Sequence, residues 1–295
     1  DEARAAVRRA LVVPLQRPLV VRAQGRRFRL TAREARVRVD VGASIDAALR
    51  RSREGGIVRR TWRSLTGGRV AADLTPRVRH SRAAVQRLVD RVRVRVSRKP
   101  RDAEVRFAAF SLGVRDHRNG RTIDAAALKR RVTRALVDPR ARRTLRARVR
   151  TVPPEVTTSE LAGRYPTVVT VDRSGFRLRL FRGLKLARTF PIAVGQAGLE
   201  TPAGLYDIEN KAVNPAWHVP NSDWAGALAG RVIPPGPENP IKARWLGIYA
   251  GAGIHGTAER DSIGTNASHG CIRMLVEDVV ELYDDVPVGA PVYIA

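Results

Sequence analysis

With 295 residues, 43% of them apolar, the chain is long enough for two ordinary domains with real cores, which excludes wholesale disorder. No run approaches the roughly 18 uncharged apolar residues of a membrane helix, and a single cysteine, Cys271, excludes a disulfide-stapled scaffold. The net charge is +27, and all of it falls in residues 1–160, where 42 Lys and Arg face 15 Asp and Glu; residues 161–295 carry 13 of each. The excess is almost wholly Arg. It suits either a polyanionic partner for that half or an Arg-heavy solvated surface. The chain starts at Asp1 without a signal-like apolar region, as expected of a trimmed or mature form whose export signal has been removed.

The first half alternates short β-like runs with amphipathic helices. Pro18–Arg22, Ala23–Gly25 and Arg26–Leu30 predict a hairpin about a Gly turn. Thr31, with Glu34 three residues on, has capping-box spacing and predicts a helix start. Ser44 is a candidate cap for Ile45–Ser52, and Ser81 for a helix over 83–96, where Val85, Leu88, Val89 and Val92 keep helical spacing. Glu104–Phe107 reads as a strand, Gly120 as a turn, and Thr122–Asp124 leads into a helix from Ala125 to Leu136. Thr144–Arg150 alternates Leu, Ala and Val with Arg, as an edge or half-buried strand does. Residues 1–152 are therefore expected to form a small basic α+β domain. Nothing in it looks catalytic, since His80 and His117 stand alone among Arg.

A paired Pro and a polar run within 151–159 mark a linker, placed at 153–164, where the Arg density also falls. Residues 165–295 read as β-rich. Thr167–Val171 is followed by a turn at Asp172–Gly175, and Phe176, Leu178 and Leu180 then share one face of a strand. A second turn at Arg182 and Gly183 leads into Lys185–Val194. Short strands joined by tight turns predict a mainly β domain, an antiparallel β-sandwich or barrel-like fold. One helix is expected just after Cys271, with Val276, Val279, Val280 and Tyr283 on one face; Pro287–Gly289 stops it, and Pro291–Ala295 is a final strand.

Two of the five His and the only Cys fall within 17 positions, in His255-Gly256-Thr257 and Ser268-His269-Gly270-Cys271-Ile272-Arg273. A thiol becomes a strong nucleophile when an imidazole takes its proton or stabilises the thiolate. Set just before a helix, Cys271 would also meet amide N–H groups and the positive end of the helix dipole. Gly270 permits a close backbone approach, and Arg273 supplies a cation suited to a substrate carboxylate. Together these residues predict an acyl-transfer site with a Cys nucleophile. A lone Cys is otherwise a small buried hydrophobe, but polar, small and charged neighbours argue against that here. Zinc held by His255, His269 and Cys271 is a competing reading; the two-residue spacing of His269 and Cys271, and the lack of a nearby carboxylate to orient a ligating ring, disfavour it.

These residues resemble the L,D-transpeptidase (YkuD-type) catalytic domain, in which His-Gly-Thr is followed after about a dozen residues by Ser-His-Gly-Cys-Ile-Arg. Thr201-Pro-Ala-Gly-Leu-Tyr206, Asn214–Pro220 and Asn239–Leu246 resemble further segments of that family, over about 165–295; Lys242 stands where Gly is common. The first half is similar to the peptidoglycan-binding domain often placed before such domains, through Pro100–Glu104 and Gly120–Asp124. The resemblance implies that Cys271 attacks the carbonyl of the diamino acid in a donor tetrapeptide stem, commonly meso-diaminopimelate. D-Ala leaves as a thioester forms, and the side-chain amine of a second stem takes the acyl group. It implies no cofactor.

His255 is then the expected general acid/base, its tautomer held by the Gly256 carbonyl. His269 competes for that role and is otherwise assigned to substrate or oxyanion contacts, with the Gly270 and Cys271 amides as candidate oxyanion donors. Arg273, Ser268, Thr257, Tyr249 and Trp217 are the expected substrate contacts, although Ser268 could serve only its turn and Tyr249 only the core. Trp217, Trp224 and Trp245 lie between residues 213 and 247, a stretch that could form a lid. Expected partners are peptidoglycan stem peptides and, through the basic half, anionic wall polymers. No nucleic-acid motif is present, so no specific nucleic acid is expected, and a membrane only through an anchor outside these residues. The expected location is the cell wall or periplasmic space of a bacterium. The same acyl-enzyme passed to water or to a protein amine gives an L,D-carboxypeptidase or a wall-attachment enzyme. A wall-binding module with a vestigial site is the non-enzymatic alternative.

Overall fold

The computed structural model describes residues 8–42 and 77–295, with Ala5 and Asp46 as isolated positions. The cap expected at Ser44 lies outside the described residues. The chain divides into two compact units, Asp1–Arg101 with Asn119–Pro153, and Asp102–Arg118 with Pro154–Ala295.

In the first unit Leu19–Ala23 and Arg26–Leu30 form the expected hairpin, and Thr144–Arg146 pairs in parallel with Leu19–Ala23. The helices Arg82–Val96 and Ala125–Val137 begin where side-chain oxygens accept first-turn amides that have no partner within the helix. Ala84 N–H donates to Ser81 Oγ at 3.2 Å and Ala127 N–H to Asp124 Oδ1 at 2.9 Å. Their apolar stripes, Val85, Leu88 and Val92 on one and Leu128, Val132 and Leu136 on the other, join Leu19, Val21 and Leu30 in one core. Two expectations change. Thr31 and Glu34 do exchange capping-box bonds, but only a single turn follows. Arg36, at φ 50, reverses the chain, and Val37 N–H closes back on the Ala32 carbonyl at 2.9 Å. Thr144–Arg150 is not one strand either: it breaks at Ala147 and Arg148, and Val149–Val152 pairs with Gly120–Ile123.

The second unit is mainly β. In chain order its strands are β1 (Glu104–Phe107), β2 (Leu112–Arg115), β3 (Thr167–Asp172), β4 (Arg177–Arg182), β5 (Lys185–Pro191), β6 (Val194–Gly195), β7 (Gly204–Asp207) and β8 (Asn210–Val213). They continue with β9 (Trp217–His218), β10 (Val232–Ile233), β11 (Lys242–Tyr249), β12 (Ala252–Thr257), β13 (Asn266–Ser268), β14 (Ile272–Leu275) and β15 (Pro291–Ile294). A ten-residue helix, α1 (Val276–Asp285), precedes β15. β3, β4 and β5 form the expected antiparallel meander within a sheet of order β5-β4-β3-β15-β7. The second sheet has the order β8-β11-β12-β14. β3–β15, β12–β14 and β6–β13 are parallel pairs, which join strands through long connections and leave no local turn signal.

Alternation sends Val169, Val171, Leu178, Leu180 and Val292 from the first sheet and Leu246, Ile254, Ile272 and Met274 from the second into one core, with Val279 and Leu282 of α1. Each such side chain contributes about 1.5–3 kcal/mol by leaving water, so this core holds the sheets that carry the site. The helix stripe differs from the expected one. Val279 and Leu282 are fully buried while Val276 is exposed, because α1 leaves β14 without a loop and turns back to the core one turn later. The β1–β2 hairpin, counted with the first half in the sequence, belongs to this unit. Phe107 packs against Tyr165 and Tyr293, and the Ala109 carbonyl accepts from Thr170 Oγ1 at 2.9 Å and Arg179 Nη1 at 3.0 Å.

Candidate active site

β12 and β14 are parallel neighbours in which Ile254 pairs with Ile272 and His255 with Arg273. Side chains alternate along each strand, so Ile254, Ile272 and Met274 enter the core while His255, Cys271 and Arg273 take the other face. All three line a cavity of about 960 Å³, together with Trp217, Trp224, Trp245, Ser268 and His269. Cys271 therefore opens a strand and not a helix. α1 starts only at Val276, so the helix-dipole contribution expected at the sulfur does not arise. The period-two run Ile272-Arg273-Met274 was the local signal for this.

His255 is 6% exposed, and its Nδ1 lies 2.9 Å from the Gly256 carbonyl oxygen. A carbonyl only accepts, so Nδ1 carries the hydrogen and Nε2 keeps the lone pair. Burial lowers the imidazole pKa to about 4; the Gly256 bond opposes this, and the Arg273 charge and Glu259 add smaller effects, the first lowering and the second raising. At neutral pH the ring is thus an uncharged base. Burial also pushes the Cys271 thiol up, opposed by a hydrogen bond from the Gly253 amide and by the Arg273 charge. The resting pair is neutral thiol and neutral imidazole. Trp245 stacks on His255, ring centroids 6.1 Å apart, and its Nε1–H donates to Asn210 Oδ1 at 2.9 Å. A Cβ on Gly253 would stand 2.6 Å from the Trp245 ring and 2.7 Å from the Leu246 carbonyl, so this stacking requires glycine there.

The turn before Cys271 is closed by Ser268, 1% exposed, whose Oγ–H donates to the Cys271 carbonyl at 2.5 Å and accepts from Gly270 N–H at 3.2 Å. The Ser268 hydroxyl thus serves the turn, one of its two expected roles, and the Gly270 amide is directed at it, which leaves Cys271 N–H as the oxyanion candidate of the two. Gly270 sits at φ 112, which a side chain would strain. Ser268→Ala is expected to cost about 1–3 kcal/mol by leaving a buried amide unpaired, and to slow Cys271 acylation. Thermal unfolding and acylation rates of the same preparation check both.

His269 is exposed, and its ring stacks on Trp224 at 4.2 Å and 10°; Trp224 stacks in turn on Trp217 at 6.5 Å. The stretch holding both is tied by buried Asn239, whose Nδ2 donates to the carbonyls of Pro215 (2.9 Å), Ile233 (3.2 Å) and Pro234 (3.3 Å). Trp245 belongs to β11 and not to this stretch. Lys242, also in β11, donates its Nζ protons to the carbonyls of Gly236 and Pro237. Two expected substrate contacts lie elsewhere. Thr257 is buried and accepts from Glu259 N–H at 3.1 Å. Tyr249, beyond a register shift at Gly247, is half exposed and its ring lies tilted against that of Tyr206, centroids 5.3 Å apart at 39°. Glu259 was not singled out in the sequence, yet its Oε2 lies 2.6 Å from Arg273 Nη1. Among the described residues, no three His, Cys, Asp or Glu side chains are grouped to hold a metal.

A thiol, a base of fixed tautomer, a backbone amide beside the sulfur and a guanidinium on one cavity wall suit acyl transfer through sulfur. Residues 166–294 match the YkuD family, "L,D-transpeptidase catalytic domain", and residues 28–144 match "Putative peptidoglycan binding domain". The chain is 33% identical over 132 residues to "Putative L,D-transpeptidase YqjB" of Bacillus subtilis, covering 43% of this chain and 69% of that one. It is 41% identical over 114 residues to "Probable L,D-transpeptidase ErfK/SrfK" of Escherichia coli, covering 36% of either chain, so it spans only about a third of that relative. The solved catalytic domain of an Enterococcus faecium L,D-transpeptidase is 26% identical over 44% of this chain and 98% of that one, with a TM-score of 0.37. The Bacillus relative, covered over more than two thirds of its length, and the family match across the cavity strands agree: the chain belongs to the L,D-transpeptidase family.

Proposed function

We propose that the protein is a cysteine-dependent peptidoglycan L,D-transpeptidase. The observation that carries this reading is the joint placement of Cys271, His255 and Arg273 on one cavity face of two parallel strands. His255 Nε2 takes the thiol proton as the sulfur attacks the diamino-acid carbonyl of a donor tetrapeptide stem. The Cys271 amide receives the developing oxyanion. When the tetrahedral centre collapses, the proton on His255 passes to the departing D-Ala nitrogen and a thioester remains. The side-chain amine of a second stem then attacks the thioester, its proton goes to His255, and the thiolate leaves and is reprotonated. An amide between two diamino acids is the product. Arg273 holds a carboxylate of the donor, and the Trp217–Trp224–His269 stack forms a wall of the cavity instead of supplying the base.

Peptidoglycan stems are the substrates in this reading, and the enzyme works in the bacterial cell wall. The basic first unit holds it near anionic wall polymer. Among the described residues, no helix is long and apolar enough to cross a membrane. The test is mass-spectrometric product analysis of the full chain with a diaminopimelate tetrapeptide. A cross-linked dimer with release of D-Ala is expected. Tripeptide alone, even with excess acceptor, would assign a carboxypeptidase instead, and unchanged tetrapeptide would remove the enzymatic reading.

A further inference from the structure

Glu259 has no part in the acyl transfer described above, yet it holds the guanidinium that the transfer needs. Its Oε2 lies 2.6 Å from Arg273 Nη1; the Arg273 side chain is 14% exposed and that of Glu259 is 66% exposed. The cation thus sits largely buried in the cavity wall, whereas the carboxylate reaches it from the solvent side. The backbone around Glu259 is held on several sides. Its N–H donates to Thr257 Oγ1, its carbonyl accepts from Ser262 Oγ at 2.7 Å, and the adjacent Arg260 pairs with Glu277 at 2.8 Å. A fixed backbone under an exposed side chain lets the carboxylate swing away without disturbing β12 or β14.

A carboxylate on a guanidinium is also the contact that an anionic substrate would make. Cys271 and Arg273 stand two residues apart on one strand face, about 7 Å along the strand. An arginine side chain can span that distance back toward the sulfur. A scissile carbonyl at Cys271 would then bring the carboxylate of the amino acid about to be expelled within reach of Arg273.

We propose that Glu259 is an internal competitor for this carboxylate subsite. It occupies Arg273 in the free enzyme, yields it to the terminal carboxylate of the donor stem, and reclaims it as the cleaved amino acid departs. The exchange keeps a largely buried guanidinium paired at every stage, which matters because an unpaired buried charge is strongly unfavourable. It also sets specificity, since only a ligand carrying a carboxylate can displace Glu259 without leaving Arg273 bare. The identity of that carboxylate rests on the transpeptidase reading; the competition itself does not.

The test is equilibrium binding of a D-Ala-terminated tetrapeptide and of its C-terminal amide, followed by tryptophan fluorescence in the full chain. A Cys271→Ala background prevents turnover, and Glu259 is either present or changed by Glu259→Gln. The variant is expected to bind the free acid about three- to tenfold more tightly and the amide as before. Arg273→Gln should reduce the free acid to the affinity of the amide. Equal tightening of both peptides, no tightening, or no preference for the free acid in either protein would overturn the proposal. The transpeptidase reading is judged separately, by whether the parent protein forms a stem thioester at Cys271. A protein that shows the free-acid effect without a thioester would keep this inference and lose that one.

Discussion

Replacing Cys271 by alanine is expected to abolish both D-Ala release and cross-linked dimer while leaving a folded protein. In the proposed cycle the sulfur is covalently bonded to the acyl group. No neighbouring side chain can replace it: the Ser268 hydroxyl is bonded to the Cys271 carbonyl and the His269 ring is stacked on Trp224. The loss should be roughly 10⁴-fold or more, as for other enzymes deprived of a nucleophile. The thiol is half-buried and the alanine still fits the turn, so stability should fall by no more than about 1 kcal/mol. Turnover assays beside thermal unfolding distinguish the two losses. An alanine protein that still released D-Ala would place the nucleophile elsewhere.

Replacing His255 by glutamine should slow acylation about 10²–10⁴-fold, the usual contribution of a positioned base. The parent protein should also behave unusually with pH. Its imidazole titrates at about 4 because it is buried, against an ordinary 6.5. The base form therefore persists to low pH, and acylation should stay nearly constant from neutrality to about pH 5. Stability carries the opposite signature. Between those two values the unfolded chain binds a proton that the folded chain refuses, so the full contribution is present above pH 6.5 and is lost as pH falls toward 4. The loss amounts to about 3 kcal/mol. His255→Gln removes this dependence, so the unfolding temperature of the parent should fall relative to that of the variant as pH goes from 7 to 4. Parallel curves would mean that the imidazole is not held neutral by burial.

Much of the site was legible because its parts are close in sequence. His255, Cys271 and Arg273 stood out as chemistry in a short span, and the Gly256 carbonyl was the available partner for the ring. Alternation likewise places β3 and β4, and the cap at Ser81 and the Thr122–Asp124 lead-in mark the two long helices of the first unit, the second of which the structure shows to be capped by Asp124. What failed was information held between distant segments. The parallel pairing of β12 with β14 leaves no turn signal, so the sequence reads Cys271 as a helix entrance although the strand run Ile272–Leu275 intervenes. The sequence leaves Tyr249 between pocket and core, and it joins neither because of a register shift in β11 that is invisible in one sequence. Glu259 reaches Arg273 only because β12 lies beside β14, and thirteen intervening residues hide that pairing. Thr31 and Glu34 satisfied a local rule that Arg36 then overrode.

The central claim is that Cys271 is an activated acyl acceptor. Intact-protein mass after incubation with a carbapenem tests it most directly, because members of this class acylate L,D-transpeptidases and the adduct is read without knowing the natural stem. One adduct per chain is expected on the parent protein, mapping to the peptide that contains Cys271, and none on Cys271→Ala. An unmodified parent protein whose circular dichroism shows an intact fold, or an adduct that persists in the alanine variant, would contradict the account.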